Sequence, residues 1–298
     1  MKKYILYALF AVAVGTAFVS CSEDELSSES VITADKKQEN DFDKWLKVNF
    51  VNTYNLDFKY RYEYKETDPD YYTVPANLDQ AIEMAHLVKY LCLESYDEVA
   101  GVNFTRAYFP KMIFTIGEWE YRNNNTIILG TAESGKKILL TGVNYIDQYK
   151  NSPSMLNTMY FKTIHHEFTH ILNQTKEYSA EFKLITGSSY VADSWNEEPF
   201  NTDYLTRGFI SDYAQHSDTE DFAEMMSMYV TNSKEQWDAW MEEAGESGSQ
   251  LLQAKLEIVK NYMQDSWGVN MDKLRDTILR READLTAGKV DLTDISVK

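Results

Sequence analysis

The chain predicts an α+β fold, with a small sheet early and helices late, on three observations. β-rich runs gather between residues 112 and 141, an amphipathic helical pattern follows over residues 154–172, and the rest of the chain repeats apolar side chains at helical spacing. In order, residues 42–52 read as a helix, residues 56–64 alternate apolar and polar side chains as a strand does, and residues 78–96 read as a second helix. The runs at 112–116, 126–129 and 137–141 make a small twisted sheet, broken at Asn123-Asn124-Asn125 and Ser134-Gly135 and closed by Gly142. Beyond the central helix, residues 251–265 and 271–284 carry the strongest helical periodicity. Neither an internal repeat nor a glycine-rich phosphate loop is present.

The first 40 residues read as something other than this domain. Lys2 and Lys3 precede an almost wholly apolar stretch over residues 4–19, and Ser20 precedes Cys21. This is the build of an export leader (1–20), too short for a membrane span. A cysteine directly after such a stretch is the lipid acceptor of bacterial lipoproteins, with Phe18 standing where that pattern usually has leucine. Ser22-Glu23-Asp24-Glu25 then resembles the acidic tag that sends some Gram-negative lipoproteins to the cell surface. Residues 21–40, rich in Ser, Glu, Asp and Lys, read as a flexible acidic tether, leaving 41–298 as the folded domain. The expected location is the outer membrane, lipid-anchored, facing the exterior or the periplasm.

Formal net charge is −18, and loss of Lys2 and Lys3 with the leader leaves 27 basic against 47 acidic residues. Such an excess excludes nucleic acid as a partner and argues against electrostatic docking on anionic lipid. With Cys21 lipidated, Cys92 remains, inside the apolar stretch 87–93, where a thiol serves as a small buried hydrophobe. His86 has no metal-spaced partner and reads as structural.

His166-Glu167-Phe168-Thr169-His170 carries the chemistry. On a helix it sets two imidazoles one turn apart on one face, with a carboxylate beside them. Two such ligands leave coordination positions open on a zinc ion, and Glu167 is placed to act as general base. His165, one residue out of register, points elsewhere. A metzincin would have Gly at 173 and His at 176; the chain has Asn173 and Lys176, which excludes that class. The third ligand is sought downstream, where Phe222, Met225, Met226 and Tyr229 recur at helical spacing and Glu220 and Glu224 share another face. One of the two carboxylates can ligate the metal while the other accepts the N–H of a ligand imidazole; spacing alone leaves their order open. His216 reads as a loop residue that could compete for the metal or for an oxyanion, and Glu197 and Glu198 lie in a turn-rich stretch before Pro199.

His166-Glu167-x-x-His170 followed by Glu220-Asp221-Phe222-Ala223-Glu224 resembles the gluzincin metallopeptidases, and the Glu-x-Phe-Ala-Glu pattern is similar to lethal-factor-type enzymes. The nearer resemblance is to zinc metallopeptidase lipoproteins associated with outer-membrane nutrient import. It covers the whole chain on few specific residues: the leader, the two-histidine helix and the downstream acidic helix. It implies a zincin-like fold, with the sheet and the active-site helix in an upper lobe and a mainly helical lower lobe. It further implies Glu220 as the third zinc ligand, Glu224 as the group orienting a ligand histidine, and Tyr213 as the oxyanion donor. Peptides, proteins or glycoproteins become the expected substrates and an import complex the expected partner. The alternative is a non-catalytic lipoprotein that holds peptide or glycan on the same frame, against which stands the presence of Glu167, a base that a purely structural site does not need.

Overall fold

The computed structural model describes residues 38–121, 127–128, 130–133 and 136–297. The expected leader, Cys21 and the tether as far as residue 37 lie outside the described residues, as do the breaks at 123–125 and 134–135.

The fold starts with a reciprocal cap. Asn40 Oδ1 accepts the Asp43 N–H at 2.8 Å while the Asn40 N–H donates to Asp43 Oδ2 at 2.8 Å, which satisfies two orphan donors at the start of α1 (Asp41–Leu46). The helix then widens to i→i+5 bonding over Lys47–Asn52. Strand β1 (Asp57–Lys59) is far shorter than the alternation over 56–64 predicts. Tyr60 and Arg61 are drawn back onto α1 instead: the tyrosine hydroxyl donates to Asp43 Oδ1 at 3.0 Å, and the guanidinium forks onto both Asp43 oxygens at 2.6 Å. A single tight turn at Tyr64–Glu66 follows.

The helix expected at 78–96 is present as α2 (Leu78–Leu87), a second widened stretch at Val88–Leu93, and α3 (Glu94–Ala100). Cys92 is buried there and His86 stacks on Trp45 at 4.2 Å; neither belongs to the metal-binding group found among the described residues. After α4 (Val102–Tyr108) come β2 (Met112–Thr115), β3 (Glu120–Tyr121), β4 (Ile127–Ile128), β5 (Gly130–Glu133) and β6 (Lys137–Leu140). The main sheet has the order β1-β2-β6-β5; β1, β2 and β6 are parallel, and β5 runs antiparallel to β6 at the edge. β3 and β4 pair separately. Ile113, Phe114, Ile138 and Leu140 are all buried, so the middle of this small sheet is covered on both faces. Gly142 ends β6 at φ 67°, where a Cβ would stand 2.3 Å from the Trp119 ring.

Ser152 caps α5 (Pro153–Leu156), with proline at the first helical position; the chain widens over Asn157–Phe161 and continues as α6 (Lys162–Thr175). Leu156, Tyr160, Ile164, Phe168, Ile171 and Leu172 turn into the core, as the periodicity predicts; Met159, on the same predicted face, is half-buried against it, and Phe161 is buried as well. The rest is helical: α7 (Glu181–Thr186), α8 (Phe200–Asp203), α9 (Asp218–Thr231), α10 (Lys234–Trp267) and α11 (Met271–Thr286). α10 begins well before residue 251 and departs from helical geometry at Gly245 (φ 67°). α9 packs against both α6 and α11, and β5 lies against α6. A small sheet in the first half of the chain and helices through the second give the α+β fold that the sequence predicts.

Candidate metal centre

α6 presents His166 and His170 on the face turned to α9, one helical turn apart. α9 starts at a Ser217 cap whose Oγ accepts the Glu220 N–H at 3.3 Å, so Glu220 occupies the third helical position. A glutamate in that position ordinarily reaches back to the cap N–H. Here Glu220 Oε2 lies 3.0 Å from His166 Nε2 and 3.2 Å from His170 Nε2, and the two Nε2 atoms are 3.0 Å apart. Among the described residues this is the one group of three ligand-type side chains that converges closely enough for a metal ion. Two imidazole nitrogens and a carboxylate oxygen facing one point can hold a metal ion, and that donor set suits zinc.

Behind this triangle stands Glu224, its side chain 1% exposed, with Oε1 2.8 Å from His166 Nδ1. Its Oε2 accepts from Lys162 Nζ at 3.0 Å and from Ser211 Oγ at 2.6 Å. Burial works against a protonated His166, yet Glu220 and Glu224 prevail and raise its pKa to about 9. Burial also opposes ionisation of the two carboxylates; His166 and His170 nevertheless hold Glu220, and Lys162 and His166 hold Glu224, well below the usual range. The centre is electron-rich and built to receive positive charge.

Glu167, His170, Glu220 and Tyr213 line one cleft of about 730 Å³, with Ile171 and Tyr178 among its walls. The Tyr213 ring lies 6.0 Å from that of His166, edge-on to Trp195 at 5.1 Å and stacked with His216 at 5.8 Å. His216 Nε2 faces Asp193 Oδ1 at 3.4 Å and stands outside the metal-binding group. Glu197 and Glu198 are exposed and also outside it. His165 turns off the face shared by His166 and His170, with Nδ1 2.9 Å from the Tyr96 hydroxyl, and burial lowers its pKa to about 3.

A family model described as "Putative zinc-binding metallo-peptidase" matches residues 35–272. The chain belongs to this family. The crystal structure of a putative zinc-binding metallo-peptidase from Bacteroides caccae is similar in the same sense, with 37% identity and a TM-score of 0.75 over 90% of this chain and 100% of that one. No curated protein matches the chain.

For a member of this zinc-binding family, the surroundings of Glu224 are what sequence reasoning missed. Lys162 precedes His166 by four residues on the same helix, and that spacing is a usable signal. Ser211 has none, because a loop alone brings it to Glu224. Trp195, edge-on to Tyr213, also comes from a turn-rich stretch without periodicity.

Proposed function

We propose that the chain is a zinc-dependent peptidase, in which His166, His170 and Glu220 hold the metal and Glu167 and Tyr213 act on the substrate. The observation that carries this reading is one cleft lined by His170 and Glu220 of the donor triangle together with Glu167 and Tyr213. When bound, zinc supplies a Lewis acid that polarises a carbonyl and lowers the pKa of a coordinated water. Glu167 accepts the proton released as water attacks the scissile carbonyl and returns it to the leaving amine. Tyr213 donates its hydroxyl proton in a hydrogen bond to the developing oxyanion. Glu224, braced by Lys162 and Ser211, holds the His166 ring from behind and sets its tautomer. β5, the edge strand lying against α6, offers an extended peptide a backbone partner, which favours a polypeptide substrate.

Digestion of casein or a peptide library with and without chelator tests the reading. Wild type is expected to cleave only in the metal-loaded state, and Glu167→Gln to keep the metal while losing turnover. A loaded wild-type protein that binds peptides without cutting any would favour the binding lipoprotein instead.

The anchoring reading is carried by the leader. Lys2-Lys3, the apolar stretch and Ser20-Cys21 support export and lipidation at Cys21, and the acidic residues after it support a surface-facing place in the outer membrane beside an import complex. No described helix is long and apolar enough to cross a membrane.

A further inference from the structure

A buried ion pair lies directly behind the ligand helix, and the proposed chemistry does not use it. Asp221 follows Glu220 in α9, and Lys255 of α10 reaches it, Nζ to Oδ2 2.6 Å, with both side chains 0% exposed. Burying two charges forfeits the hydration of both, and apolar side chains of similar volume hold a core as well or better. Stability is therefore a poor account of the pair. What it touches gives a better one.

Lys255 Nζ also donates to the Gly208 carbonyl at 2.7 Å and sits 4.0 Å from the centre of the Phe209 ring. The Tyr190 hydroxyl donates to the same Asp221 Oδ2 at 2.9 Å. Tyr190 and Gly208 both belong to segment 187–216, which carries Tyr213. That segment is knitted within itself: Arg207 donates to Gln215 Oε1 and to the Ser189 carbonyl at 2.8 Å each, and Gln215 Nε2 donates to the Phe200 carbonyl at 2.7 Å. A piece so cross-linked places Tyr213 according to where the whole piece is seated. It is seated against α10 with no room to spare, since a Cβ on Gly248 would stand 2.4 Å from the Leu205 carbonyl oxygen.

We infer that Lys255 is a positioning residue, pinning the Tyr213-bearing segment, through Gly208 and Asp221, to the turn of α9 that carries Glu220. Its effect on turnover rests on the peptidase reading; its effect on the segment does not.

The pair Lys255→Met with Asp221→Asn removes both charges at nearly constant volume and leaves no lone charge buried. On the full zinc-loaded chain, amide hydrogen exchange over 187–216 is expected to quicken by about 10-fold or more, with α6 unchanged. The kcat for a cleaved peptide should fall roughly 10-fold to 100-fold at a KM within about twofold of wild type, the penalty of a misplaced group. In a Tyr213→Phe background the same pair should cost less than about threefold, because no hydroxyl remains to be misplaced. Tyr190→Phe, which leaves the ion pair intact, should loosen only the 187–191 end and serves as the second variant. Unchanged exchange over 187–216, exchange raised uniformly across the domain, or an equal kcat loss with and without the Tyr213 hydroxyl would each overturn the inference. If the wild type cleaves no peptide, the peptidase reading falls while the exchange pattern still decides the role of Lys255.

Discussion

Glu282 should make the stability of this fold depend on pH near neutrality. Its side chain, 5% exposed on α11, accepts one hydrogen bond, from Asn157 Nδ2 at 2.8 Å. Burial outweighs that bond and raises the carboxyl from 4.5 to about 7. A carboxyl with a raised pKa in the folded state favours folding fully below about 4.5, and the contribution is lost as pH rises through about 7. At about 1.36 kcal/mol per unit, the loss across that window is on the order of 3 kcal/mol. Glu282→Gln keeps the shape and removes the charge. Urea unfolding at intervals from pH 5 to pH 9 should therefore show the variant close to wild type at the acid end and more stable by up to about 3 kcal/mol at the alkaline end. Asn157 Nδ2 also donates to the Thr231 carbonyl at 2.7 Å, so the strain of an ionised Glu282 falls on the junction between the chain entering α6 and the end of α9. Stability curves that run parallel for the two proteins over the whole range would refute the reasoning.

Three further outcomes are expected. Glu220→Ala should abolish stoichiometric zinc binding, measured by metal analysis after dialysis, whereas Glu224→Ala should weaken affinity by roughly 10-fold to 100-fold, the penalty expected for a group proposed to orient a ligand rather than to bind the metal. Tyr213→Phe should keep its zinc and lose on the order of 100-fold in kcat, as a donor to a transition-state oxyanion would; a large change in KM alone would contradict the role. Cys21→Ser should move a still-folded protein from the membrane fraction to the soluble fraction, and retention through a high-salt wash would count against lipid anchoring.

The parts legible in the sequence are those governed by local rules. α6 and α9 announce themselves by apolar spacing, and an i,i+4 histidine pair needs only a helix to share a face. The strand predicted over 56–64 stops at Lys59 because Asp43, distant in sequence, claims Tyr60 and Arg61. The helical pattern of α10 is weaker over residues 234–250, which are rich in Glu, Gly and Ser with few apolar positions, and tertiary packing of Trp237 and Ala244 makes up the deficit. Lys255 was hidden for the opposite reason: a lysine amid apolar helical positions reads as a solvated side chain until its buried partner is located.

The division of the donor triangle between two helices gives the centre a diagnostic use. His166 and His170 share a face of α6 wherever that helix forms, but Glu220 joins them only when the first turn of α9 is both capped and docked. Tight zinc binding is thus a gauge of tertiary assembly rather than of helix content. A partly unfolded chain, with its helices intact but undocked, would offer the ion two imidazoles and bind it weakly, so chelator-competition titration should separate native molecules from compact misfolded ones in a preparation that circular dichroism would score as uniform.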